Sequence, residues 1–140
     1  MAANTEILTP ILALVSWTLL MWVWMYINRI PAMNKAGLDP QEAQHPGSLN
    51  ILPKAARSAA DNYNHLHEQP TIFYALVAYT FLVGNGDELN IMLAWAYVCL
   101  RVLHSLIQVS VNVVAFRFVI FSLSSLTLMA LAVRNILALS

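Results

Sequence analysis

The chain is short of charge. Of its 140 residues seven are Lys or Arg and seven are Asp or Glu, 10% in all, against about 25% in a soluble domain. The two signs cancel, so no basic field argues for nucleic acid. Cysteine occurs once, at Cys99, which excludes an internal disulfide and any Cys-x-x-Cys pair; in its apolar run it reads as a small packed hydrophobe. Glycine is scarce, four in all, and there is neither a phosphate-cradling Gly-rich loop nor a Gly-x-Ser-x-Gly elbow. There are no repeats, and without an inverted repeat an autonomous transporter is disfavoured.

What the chain has instead is long apolar runs. Hydrophobic residues make up 59% and the mean hydropathy is +0.64, a membrane composition. The expected fold is all-α, a single integral-membrane four-helix bundle over 1–140, with spans at about 7–27, 57–84, 88–111 and 116–139. The first run carries no charge and, as a helix, covers about 30 Å, one hydrocarbon thickness. It lacks the basic start and small-residue cleavage site of a signal peptide. Trp22, Trp24 and Tyr26 read as an interfacial belt at its end. The second helix is expected to begin near Pro53 and to carry Pro70 inside it, as a bend. Gly84–Glu88 reads as a tight turn, and the connection over about 29–56, with Pro31, Pro40, Pro46 and Pro53, as an irregular cap on one membrane face. Arg29, Lys35, Lys54 and Arg57 in the first loop and Arg117 in the third place those loops in the cytoplasm and both termini outside.

Against this background two polar stripes stand out. On a helical wheel Arg57, Asp61, Asn64 and Glu68 fall within about 60° of one another, with His65 at the flank. In the third span Asn90, Tyr97, His104, Gln108 and Asn112 fall within about 60° of Arg101. Ionisable groups at membrane depth are costly unless paired or hydrated, so such faces turn toward other helices or a wet cavity. The two stripes are expected to meet at the cytoplasmic face. The structural alternative makes Arg101 a clamp to Glu68 or Asp61, with Gln108 and Asn112 as hydrogen-bond glue.

The order of these features resembles the MAPEG family, membrane-associated proteins of eicosanoid and glutathione metabolism, and in particular a divergent bacterial-type member. The resemblance covers nearly the whole chain: four spans, a long basic first loop, a polar helix ending in Glu68 with Phe73 downstream, Arg101-Val-Leu-His104, and Arg117 nine residues beyond Gln108. It implies a homotrimer, here in a bacterial inner membrane, binding glutathione between subunits beside membrane lipid and a lipophilic small-molecule substrate. On that carry-over Arg29 and Arg101 hold carboxylates, Glu68 takes the α-amine, His104 buttresses the site and Arg117 is the catalytic residue that holds the thiol as thiolate. The family's second-helix pattern is Arg-x-x-x-Asn-x-x-Glu. Here Asp61 and His65 occupy the arginine and asparagine positions, Asn64 is one residue out of register, Arg57 lies one turn before Asp61, and Gln108 replaces a tyrosine.

The expected function is therefore a membrane glutathione transferase or peroxidase acting on lipophilic electrophiles or lipid hydroperoxides, with Arg29, Arg57, Asn64, His65, Glu68, Arg101, His104 and Gln108 around the thiol peptide. The alternative is a non-enzymatic lipid- or partner-binding trimer of the same fold. A metal site from Asp61, His65, His67 and Glu68 is disfavoured, because His67 points about 100° or more off the stripe; no metal is expected.

Overall fold

In the computed structural model, residues 4–45 and 47–139 are described; Pro46 of the first loop lies outside them. The chain is all-α: α1 (Thr9–Lys35), α2 (Lys54–His65), α3 (Gln69–Leu82), α4 (Glu88–Val109) and α5 (Val114–Leu137), with short 3-10 turns at Thr5–Leu8 and Pro40–Gln44. α4 and α5 form a tight antiparallel hairpin, and α1 packs on α2 and α4.

Local chemistry explains where the elements start and stop. Pro10 sits in the first turn of α1, where no backbone donor is missed. That helix ends at Gly37, whose φ of +66° suits glycine, with Gly37 N–H donating to Asn34 O and Leu38 N–H to Met33 O. Gly84 ends α3 in the same way: φ is +71°, Gly84 N–H donates to Phe81 O and Asn85 N–H to Thr80 O. Asp87 then caps α4 by accepting from Asn90 N–H at 2.8 Å.

Where one helix is expected over 57–84, the structure has two. α2 stops at His65 and α3 begins at Gln69, with Pro70 in its opening turn rather than in a helix interior. Proline disfavours helical backbone in the residue before it and brings no N–H of its own, so the ladder is interrupted at Leu66–Glu68. Three helical stretches, Thr5–Lys35, Glu88–Val109 and Val114–Leu137, are long and apolar enough to cross a membrane. α3 has 14 residues, about 21 Å.

The bundle turns a set of polar side chains inward and large apolar ones outward. Leu12, Leu19, Phe118, Leu126 and Met129 are exposed, whereas Arg101, His104, Gln108, Asn62 and Asn90 are buried. In water that arrangement would be unfavourable; in hydrocarbon it is the stable one. An apolar core of Ile7, Leu14, Phe73, Val77, Ala94, Tyr97 and Leu131 closes the middle, with Phe73 stacked on Tyr97 at 4.5 Å between centroids. The protein is an integral-membrane helical bundle.

Candidate functional site

The interruption after His65 creates the first feature of the site. In an unbroken helix Gln69 N–H would take the His65 carbonyl. Here that carbonyl accepts instead from Glu68 N–H at 3.3 Å and from Arg101 Nη2 at 3.1 Å. The guanidinium also lies over Phe121, 5.6 Å from Cζ to the ring centroid. Arg101 is therefore not clamped to Glu68 or Asp61: the one ion pair among the described residues is Arg134–Asp87, at the other end of α5. Arg101 is 2% exposed, and its Nε and Nη1 are buried without a hydrogen-bond partner among the described residues.

A cavity of about 320 Å³ opens beside it, lined by His65, Glu68, Gln69, Arg101, His104 and Arg117 together with Val114, Phe118 and Phe121. Arg117 enters from the first turn of α5. Its Nη1 donates to Asn112 Oδ1 at 2.6 Å, while its Nε is buried and unpartnered. Asn112 is itself fixed twice. Its backbone has φ +50°, tolerated by asparagine better than by most residues, with its N–H donating to Ile107 O at 2.7 Å, and its Nδ2 donates to Ser58 Oγ of α2 at 3.1 Å. Gln108 pairs with His65, Oε1 to Nδ1 at 3.0 Å. His104 lies near both His65 and Phe121, 6.2 Å between centroids in each case. Gln69 bridges Ser125 and Tyr97 on α5 and α4. The α5 N-terminus adds positive potential, since Val113 supplies no side-chain cap and the first N–H groups are unclaimed by one. The cavity thus offers two cations short of partners, one acceptor-rich carboxylate at Glu68 and an apolar mouth.

The structure divides the residues singled out from sequence. Glu68, His65, Arg101, His104 and Arg117 line the one cavity, and Gln108 stands behind His65. Arg29, Arg57 and Asn64 line a second cavity of about 470 Å³ with Asp61, His45 and Asn50, under the first loop. The α2 stripe of Arg57, Asp61 and Asn64 is exposed, so it does not meet the α4 seam within the chain. The face that does is Ser58, Asn62 and His65, through Ser58–Asn112 and His65–Gln108. The sequence carried a signal for this: Ala56, Ser58, Ala59 and Asn62 are small or neutral, the kind of face that lets membrane helices approach closely. Gln69, Phe118 and Phe121 were likewise missed. No three of His, Cys, Asp and Glu converge as metal ligands among the described residues, and His67 turns to its own helix, Nδ1 to Tyr63 O at 2.9 Å.

No curated protein and no solved structure matches the chain. The model of one family does, over residues 7–137, so that an all-helical membrane bundle with buried arginines at a helix break is joined by a match along nearly the whole chain: this protein belongs to the MAPEG family.

Proposed function

We propose that the protein is a membrane glutathione transferase or peroxidase, which binds the thiol peptide in the cavity between the α2–α3 break and the start of α5 and turns it on lipophilic electrophiles or lipid hydroperoxides from the bilayer. One observation carries this reading. Arg101 and Arg117 line that cavity with buried N–H groups that have no hydrogen-bond partner, and no carboxylate in ion-pair range, among the described residues. Buried cations without an anion are unstable unless a ligand supplies one.

Each residue then has work suited to its chemistry. Arg101 receives a peptide carboxylate through charge-assisted hydrogen bonds from Nε or Nη1, the donor atoms now unused. Glu68, exposed at the rim and without an ion pair among the described residues, takes the α-ammonium. Arg117, with the α5 N-terminus, lowers the thiol pKa from about 8.5 so that thiolate is present near neutrality. The thiolate attacks an electrophilic carbon, forming the C–S bond as the leaving group departs with its electron pair. With a hydroperoxide it takes the distal oxygen, releasing the alcohol; a second thiol then converts the sulfenic acid to disulfide and water. Val114 and Phe118, 70% and 68% exposed, give the second substrate an apolar entrance. His104 and the His65–Gln108 pair shape the wall. The assembly proposed with this reading is a homotrimer, with the first and third loops in the cytoplasm, and its mass in detergent is measured by light scattering.

Ligand that binds only the folded state raises its stability. Millimolar glutathione is expected to raise the Tm of the detergent-purified protein and to give the ultraviolet absorbance of a thiolate; neither signal at that concentration overturns the reading. A second reading, a non-enzymatic lipid- or partner-binding trimer, is favoured by the separation of Arg29, Arg57 and Asn64 from Arg117 in two cavities. Binding of glutathione without thiolate absorbance would support it.

A further inference from the structure

Of the four histidines, His65 is the one held so that a ring nitrogen is left free at the cavity of Arg101 and Arg117. It ends α2, and its backbone carbonyl is fixed by Arg101 Nη2 and Glu68 N–H. The ring is fixed as well, with Nδ1 3.0 Å from Oε1 of Gln108. An amide oxygen only accepts, so Nδ1 carries the hydrogen and Nε2 keeps an open lone pair. Nε2 has no hydrogen bond among the described residues. Gln108 is 1% exposed on a helix long and apolar enough to cross a membrane, a position where an unused amide is costly. The other histidines are arranged differently. His67 turns Nδ1 to Tyr63 O of its own helix and packs on the Tyr63 ring. His104 is buried, and no side-chain hydrogen bond fixes its tautomer among the described residues. His45 belongs to the first loop and lines the other cavity. The charged and titratable groups that share the cavity with His65 are Glu68, three residues on, Arg101 and His104 from α4, and Arg117 from α5. No lining residue comes from α1, which also packs on α2.

We infer that His65 is a catalytic residue that carries the proton of a peroxidase reaction, which makes lipid hydroperoxides the second substrate to which this site is suited. The inference rests on the thiol-peptide reading above and deepens it. Thiolate forms beside Arg117 only as the thiol proton moves to another group. Neutral Nε2 accepts it while Nδ1 goes on donating to Gln108, so protonation requires no rotation of the ring. The thiolate then attacks the distal oxygen of the hydroperoxide. The S–O bond forms, the O–O bond breaks, and its electron pair leaves on the proximal oxygen. That alkoxide is a strong base and takes the proton from Nε2, giving alcohol, sulfenic acid and neutral imidazole. A halide leaving group needs no proton. The relay therefore favours hydroperoxides over halogenated electrophiles, and Val114 and Phe118 at the mouth suit the alkyl part.

The test counts protons. Detergent-purified protein is titrated with glutathione in dilute buffer at about pH 7.5, where a free imidazole is mostly neutral, following thiolate absorbance and, with a pH indicator, proton release. The wild type is expected to release less than about half a proton per thiolate, because the ring keeps the rest. His65→Asn, which keeps a donor toward Gln108 but has no basic nitrogen, is expected to release a full proton. In that variant the ratio of kcat/KM for linoleic acid hydroperoxide to kcat/KM for chlorodinitrobenzene should fall about tenfold or more, as for loss of a general acid. Gln108→Leu keeps the ring and frees its tautomer; it should lower the same ratio, and it reads the relay where His65→Asn does not fold. A full proton released per thiolate in the wild type overturns the relay and leaves the glutathione site standing. An unchanged ratio in either variant also overturns it. A proton count that shifts in His104→Asn and not in His65→Asn assigns the proton to His104 and overturns the role of His65. Absence of thiolate absorbance in the wild type overturns the thiol-peptide reading and the relay with it.

Discussion

The two arginines of α5, about 25 Å apart along the helix, sit in polar clusters of opposite character. Arg134 is satisfied. Its Nε donates to Asn90 Oδ1 and its Nη2 pairs with Asp87, which also caps α4. Around them Asn90 Nδ2 donates to Asn85 O, Asn85 Nδ2 to Asn135 Oδ1, and Asn135 Nδ2 to Thr80 Oγ1, closing a network across α3, α4 and α5. Arg117 has one side-chain partner, Asn112, and beside it Arg101 is buried with two donors unused. The first cluster is complete without a ligand and holds the helix ends together. The second is incomplete by itself, which is how a binding site differs from a structural one.

The comparison can be broken most sharply at Arg117. Replacement by Ala is expected to lower kcat/KM roughly 10²–10³-fold, the cost of removing a positioned stabiliser of anionic charge, and to abolish thiolate absorbance. Tm should hold or rise, because a half-buried cation without a counter-ion is no asset to the fold. A smaller effect is expected at Asn112→Gly, which keeps the backbone conformation and removes the hydrogen bond to Arg117. The thiolate fraction at fixed pH should fall about tenfold, near the worth of one hydrogen bond to a charged group, with glutathione affinity altered less than the thiolate signal. An equal fall in both would mean Asn112 contributes packing alone. The opposite pattern is expected at the other end of α5. Asp87→Ala removes a helix cap and the Arg134 partner, costing about 1–2 kcal/mol, read as a drop in Tm with glutathione affinity unchanged. Loss of affinity in that variant would join the two clusters into one site.

Much of the bundle was legible beforehand, and the reasons differ by element. The seam Asn90–Tyr97–Arg101–His104–Gln108 was readable because polar residues on one face of an apolar helix must turn inward in a membrane, whereas Asn112 falls in the turn beyond α4. On α2 the same wheel misled. It shows which residues share a face and says nothing of which face is buried, and charge drew attention to Arg57, Asp61 and Asn64 when the buried face was Ser58, Ala59 and Asn62. That helix has an exposed charged side, with Arg57, Asp61 and Asn64 turned away from α4. Pro70 marks a break in the pattern, but whether a proline bends a helix or ends one depends on the contacts made around the break. Here Arg101, 36 residues along the chain, donates to the His65 carbonyl, and no local pattern reports a partner at that distance. The division of the candidate residues between two cavities likewise depends on how the first loop folds over α2.

Asn112 shows how little freedom of sequence such an arrangement leaves. Its backbone, at φ +50°, penalises every residue with a Cβ, least so asparagine, aspartate and histidine. Glycine would fit the turn and let the guanidinium swing. Aspartate would hold the guanidinium and cancel its charge, replacing the awaited anion with one from the protein. Asparagine fixes Arg117 in place and leaves it positive, so a change to glycine or aspartate here is expected in proteins that have given up an anion there.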